Sequence, residues 1–345
     1  MRKHKKAYTL ILISVVGCVF INLKSIIYGV QQGAGQAGVL WNAQEIEELL
    51  HDSSFPDSTK EKLKYINEVK VFSEVFLGLQ QTENYSTFYD QKGKPILWVV
   101  TASPEFEVKA YEWSFPIAGS FPYKGFFDIE KAKTEQQEMI FKGFDTELDE
   151  VNAWSTLGWF KDPVLSSMLQ RSPGSLAELI IHESTHATLY VKDSAAFNEN
   201  LASFVGKLGA ELFLAYKFGE KSKELKEYMN SRIRRNAYKD YLRTEINKLN
   251  AFYAGMDTTQ TMVERRTLKR GQIERIQEGL FEINFFSDSL KGRKWLNEIE
   301  FNNAYFSGFS TYSSDLPKLQ RQLDTEFDGE LKKMLTSFKS KYESM

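Results

Sequence analysis

Ser175-Leu-Ala-Glu-Leu-Ile-Ile-His182-Glu183-Ser-Thr-His186-Ala-Thr-Leu-Tyr190 is the stretch on which the reading of this chain turns. Its local features specify a helix. Ser175 and Glu178 match a capping box, Ser172-Pro173 offers an alternative start, and Leu179, Ile180 and Ile181 supply apolar mass. Residues four apart on a helix share a face, so His182 and His186 present two imidazoles to one metal ion. Glu183 lies one residue round, where its carboxylate reaches a water on that metal without being a ligand. In this His-Glu-x-x-His arrangement zinc polarises a water and the glutamate takes its proton. The competing reading is two surface histidines that happen to fall four apart. Against it, the chain has only four histidines (His4, His51, His182, His186), and half of them sit in this one turn.

A hydrolytic zinc needs a third protein ligand and an open position. His4 precedes an apolar run, and His51 lies far upstream in a Ser/Asp/Pro-rich turn, so a carboxylate is expected. Asp193-Ser194 reads as a turn and cap opening a second helix through Ala195-Ala-Phe-Asn-Glu199-Asn-Leu-Ala202. A helix–turn–helix folds Glu199 back onto the histidine pair. Glu211 is too far along, and Asp193 is better explained as a cap. Asp193 and Asn198 are the nearby groups for the second ring N–H of a ligand histidine. An oxyanion donor is also expected, and with histidine nearly exhausted the candidates are Tyr190, Tyr305 and Tyr312.

Outside this segment the chain bounds its own class. Its 345 residues carry 44 Lys+Arg against 46 Asp+Glu, a formal net charge of −2, which leaves no global basic field for nucleic acid. With 42% apolar and 14% aromatic residues it has ample material for a large buried core. One cysteine, Cys18, excludes an intramolecular disulfide and a Cys-based zinc cage. Arg2, Lys3, Lys5 and Lys6 precede an apolar run from Ala7 to about Leu23, the layout of a signal or membrane anchor. Three readings compete: an uncleaved anchor, a lipoprotein signal with Val15-Val16-Gly17-Cys18 as lipobox, or simple cleavage. In all three the body is expected on the outer side of a membrane, with residues 1–27 as the anchor or signal.

The body, 28–345, reads as mostly helical α+β. Tyr28–Gln36 is glycine-rich and reads as a membrane-proximal linker or turn. Ala43–Leu50 and Ser58–Leu79 read as helices, the second opened by a Ser58/Glu61 capping box with Leu63, Ile66, Val69 and Val75 on its apolar face. Ile96–Thr101, Phe106–Tyr111 and the aromatic stretch from Trp113 to Phe127 read as short strands, and Ile129–Phe141 as a helix ending at Gly143. Glu147–Thr156 reads as extended. Lys221–Phe252 and Thr261–Phe285 read as a solvated helical hairpin, about 219–290, laced with ion pairs.

Several motifs now fall in order: Gln32-Gly-Ala-Gly-Gln36, Trp113-Ser-Phe-Pro-Ile-Ala-Gly119 with Tyr123-Lys-Gly-Phe126, and Ser155-Thr-Leu-Gly-Trp-Phe-Lys-Asp-Pro163. They precede His182-Glu-x-x-His186 and Phe197-Asn-Glu199, and Asn302-Asn303-Ala304 with Tyr312 comes near the end. Together they resemble the bacterial "putative aminopeptidase" family of zinc peptidases, which often carry an N-terminal membrane or lipoprotein anchor. The resemblance implies a zincin-like fold with a small sheet, Zn²⁺ on His182, His186 and Glu199, Glu183 as base, and a peptide or protein substrate. It implies residence in the cell envelope, anchored in the inner membrane with the body on the periplasmic or outer side. Cys18 stands farther from Tyr28 than the family's lipidated cysteine, which favours the uncleaved anchor. From a different class, the alternative is a non-catalytic zinc-binding envelope protein that acts through its helical hairpin.

Overall fold

The computed structural model describes residues 23–115, 119–151, 161–192, 194–283, 290–310 and 316–343. The chain opens with α1 (Leu23–Trp41), followed by β1 (Gln44–Glu45), α2 (Ile46–His51) and α3 (Asp57–Phe72), which runs on into a π turn at Ser73–Leu77. A strand-rich section comes next: β2 (Thr87–Tyr89), β3 (Leu97–Pro104), β4 (Trp113–Phe115), β5 (Gly119–Phe121) and β6 (Lys124–Phe126). After α4 (Ile129–Phe141) come β7 (Phe144–Val151) and β8 (Val164–Leu165). The remainder is helical: α5 (Pro173–Thr188), α6 (Ala195–Phe218), α7 (Lys223–Ala254), α8 (Met262–Glu282), α9 (Leu290–Glu298), α10 (Asn303–Ser310), α11 (Leu316–Glu326) and α12 (Leu331–Glu343).

The result is an α+β, mostly helical protein, with its strands divided among three small sheets. Antiparallel β6-β3-β7 is the longest, pairing Val99 with Asp149 and Thr101 with Glu147. In β1-β2-β8 the β2–β8 pair is parallel, and β4-β5 forms a two-stranded ribbon. Three apolar clusters hold these elements. The largest gathers Leu63, Ile66, Ile180, Ile181, Leu201 and Phe213 from α3, α5 and α6. A second joins Leu242 and Ile246 of α7 to Leu280 of α8 and Phe306 of α10. The third seals β3 and β6 beneath Ala132 and Met139 of α4. Each large aliphatic or aromatic side chain so buried contributes about 1.5–3 kcal/mol.

Several expectations change. Tyr28–Gln36 is the interior of α1 and not a linker. The Tyr28 hydroxyl and the Gln32 amide both donate to Gly125 O at 2.9 Å, and Gly35 lies so close to the Phe127 ring that a Cβ would sit 2.2 Å from it. This docking outweighs the roughly 1 kcal/mol helix penalty of each glycine. α1 also runs through the 27/28 boundary expected between anchor and body. Residues 1–22 of that anchor lie outside the described residues, among which no helix is long and apolar enough to cross a membrane.

Phe106–Tyr111 is not a strand. Its backbone finds side-chain partners instead: Val108 N donates to Asn250 Oδ1 at 2.7 Å and Lys109 N to Ser103 Oγ at 3.1 Å. α3 begins after Pro56 without the Ser58/Glu61 box. The π turn that follows shifts the register, leaving Val75 56% exposed while Leu63, Ile66 and Val69 are fully buried. The α7–α8 pair is less solvated than expected, since its inner face covers the second cluster. Where extended chain was expected through Thr156, β7 starts earlier, at Phe144, and residues 152–160 lie outside the described residues.

Candidate metal centre

α5 starts by the second of the two candidate caps. Ser172 Oγ accepts from Ser175 N, and Pro173 occupies the first turn, where a missing N–H costs nothing. Glu178 is thereby released from capping; it accepts from the Arg235 guanidinium at 2.7 Å and the Tyr228 hydroxyl at 3.1 Å. Ile180 and Ile181 are fully buried and fix the roll of the helix. Ser184, Thr185 and Thr188 satisfy their hydroxyls on carbonyls one turn back, at 2.7–2.8 Å. Such back-bonding lets hydroxyl side chains lie against an apolar neighbour.

α6 packs closely against α5 because glycines face it. A Cβ on Gly206 would lie 2.9 Å from Glu178 O and 3.1 Å from His182 Cβ, and one on Gly209 would meet Ile181 at 3.0 Å. The turn between the helices is tied by Asn198, whose amide accepts from Val191 N and donates to Val191 O, both at 2.8 Å. Asn198 thus positions the start of α6, its amide spent on Val191. Asp193 lies outside the described residues.

This packing brings His182, His186 and Glu199 together. The two histidine Nε2 atoms are 3.2 Å apart, Glu199 Oε2 is 3.5 Å from His182, and Glu199 Oε1 is 3.3 Å from His186. Zinc with bonds of about 2.0–2.1 Å in tetrahedral geometry needs donors about 3.3–3.4 Å apart, and this triangle matches that edge. The donor set, two imidazoles and a carboxylate, also suits zinc chemistry. The His186 side chain is 3% exposed and Glu199 40%, so the triangle is closed at the helix and open at the carboxylate. Hydrogen bonds from His182 and His186 hold the Glu199 carboxyl far below the usual range. Burial pulls His182 down, but the Glu199 hydrogen bond and the charges of Glu183, Glu199 and Glu178 leave it raised.

Of the expected partners, the structure leaves several apart. His186 Nδ1 is buried with no hydrogen-bond partner among the described residues. Glu211 pairs with Arg232. Tyr305 is spent on a 2.5 Å hydrogen bond with Tyr238 in the second cluster, and Tyr312 lies outside the described residues. Tyr190 is 50% exposed, its ring centroid 6.4 Å from that of His186.

Two other tyrosines feel the charge of the carboxylates at the centre. Tyr123, between β5 and β6, has its phenol raised by burial and by the charge of Glu199. Buried Tyr85 is raised by burial and by Glu183, and its backbone is left-handed at φ 61°. That conformation is costly for a bulky residue. It is fixed by Tyr85 N donating to Asp162 O at 2.7 Å and Asp162 N donating to Asn84 Oδ1 at 3.1 Å. Tyr123 sits in one of the motifs quoted above, a signal that was available; nothing local marks Tyr85.

No curated protein and no solved structure matches the chain. A family model described as "Putative aminopeptidase" matches residues 27–343, nearly the whole body. The match spans the β6-β3-β7 sheet, the α5–α6 pair with its histidines and glutamate, and the helices that follow, and on that extent the chain belongs to the putative aminopeptidase family.

Proposed function

We propose that this protein is a zinc-dependent peptidase, an aminopeptidase of zincin-like fold, held at a bacterial membrane by its N-terminal segment with the body on the periplasmic or outer side. The observation that carries the reading is the His182–His186–Glu199 triangle with Glu183 next to it on the same helix. Membership of a family named for aminopeptidase activity supports it. The exposed edge at Glu199 favours an open coordination position over a closed structural site.

His182, His186 and Glu199 would hold the metal. When bound, zinc supplies Lewis acidity that lowers the pKa of water and polarises a carbonyl oxygen. Glu183 accepts the proton of the attacking water and delivers it to the departing amine as the C–N bond breaks. Burial of His186 and the close α5–α6 contact at Gly206 keep the donor geometry preorganised.

The test is metal analysis of the purified protein together with cleavage of a peptide mixture, free and N-acetylated. The reading expects about one zinc per chain and cleavage that acetylation abolishes. Equal cleavage of both sets contradicts the exopeptidase assignment. A protein without stoichiometric metal and without cleavage contradicts the whole.

A further inference from the structure

Where α7 crosses α5 and α6, one turn before His182, cations outnumber carboxylates. Lys207 of α6 and Arg232, Arg235 and Lys239 of α7 gather around Glu178 and Glu211. Both carboxylates are already engaged, Glu178 by Arg235 and Tyr228 and Glu211 by Arg232. Neither Lys207 nor Lys239 makes an ion pair among the described residues; Lys207 feels the charge of Lys239, and Lys239, one helical turn past Arg235 on α7, feels that of Arg235. Burial and then Lys239 push the Lys207 amine down to about 8. A half-buried amine beside like charges is destabilised until an anion joins it. Arg235 is 43% exposed and Lys239 is exposed, so the cluster opens to solvent.

The cluster also lies within reach of the metal ligands. Glu178 precedes His182 by one turn, about 6 Å along the axis, and Lys207 follows Glu199 by about 12 Å. The charge of Glu178 is felt by His182 on one side and by Lys207 on the other. An extended peptide advances about 3.3 Å per residue, which sets the cluster about two to four residues from a bond at the metal centre.

We infer that Lys207 and Lys239, flanked by Arg235, form a carboxylate-binding subsite that selects short peptides by their C-terminal carboxylate. The inference rests on the peptidase reading and deepens it. The two lysine ammonium groups supply charge-assisted contacts to a carboxylate that a C-terminal amide does not receive.

Calorimetric titration of full-length Glu183→Gln protein with tetra-alanine, as free acid and as C-terminal amide, tests this without turnover. The free acid is expected to bind about tenfold more tightly at low salt. In the background of Lys207→Gln with Lys239→Gln the two peptides should bind alike, and Lys207→Arg should retain the preference. An amidated tetrapeptide with glutamate at its third position separates a side-chain carboxylate from the terminal one. If it binds as well as the free acid, selection by the terminus is wrong. Equal binding of acid and amide, no binding of either, or a preference that survives the double substitution overturns the subsite. Hydrolysis of the free acid and the amide at equal efficiency by the native protein, with equal binding, removes the subsite and leaves the peptidase reading standing. Preferential binding of the acid without any hydrolysis does the reverse.

Discussion

The Nε2 atoms of His182 and His186 stand 3.2 Å apart, and Glu199 sets one carboxylate oxygen against each ring. On the zinc reading proposed above, a cation held by these three donors binds the folded chain and not the unfolded one. Zinc at about a hundred times its dissociation constant should therefore add about 2.7 kcal/mol of stability. Differential scanning calorimetry with zinc and after chelation checks this. Glu199→Ala should lose the upward shift in Tm, and an identical shift in that variant would remove Glu199 from the ligand set.

The α5–α6 contact makes a second prediction. A Cβ at Gly206 would lie 2.9 Å from Glu178 O and 3.1 Å from His182 Cβ, and neither backbone nor Cβ can swing aside. Gly206→Ala should cost about 1–3 kcal/mol in denaturant unfolding, as overpacking does. Because the displaced helix carries His182, zinc affinity should fall with it. Gly271→Ala on α8, where a Cβ meets nothing within 4 Å, serves as the control and should be neutral or stabilising.

Glu147 on β7 provides a pH prediction. Burial, then the nearby Asp149, raises its carboxyl from the usual 4.5 to about 7. The folded chain then holds a proton that the unfolded chain has released between those values, so stability falls as pH rises from about 4.5 to about 7 and levels off beyond. Allowing for partial exposure, the effect is about 1–3 kcal/mol. Glu147→Gln should flatten this part of the unfolding free energy against pH. Parallel curves for native protein and variant would show that the group ionises as in water.

Much of the site follows from short-range rules. Helical period alone puts His182 and His186 on one face, and a short turn returns Glu199 to it. Strand β3 and helix α4 are likewise local, the latter capped by Asp128 and ended at Gly143 with φ 85°. What escaped is long-range. α1 is helical because Gly125 and Phe127, about a hundred residues away, receive Tyr28, Gln32 and Gly35. Glu178 matched a capping pattern but is held by Arg235 and Tyr228 of α7, a helix legible in the sequence whose packing against α5 is not. Tyr85 and Tyr123, which feel the charges of Glu183 and Glu199, lie far from them in the chain, and no periodicity points at them.

Glu183→Gln tests the central claim most directly. The substitution keeps the side chain's size and removes the carboxylate proposed to accept the proton, leaving His182, His186 and Glu199 unchanged. The variant should retain the zinc content of the native protein while peptide hydrolysis falls about 10²–10⁴-fold. A variant that keeps its zinc and cleaves peptide at the native rate would contradict the account.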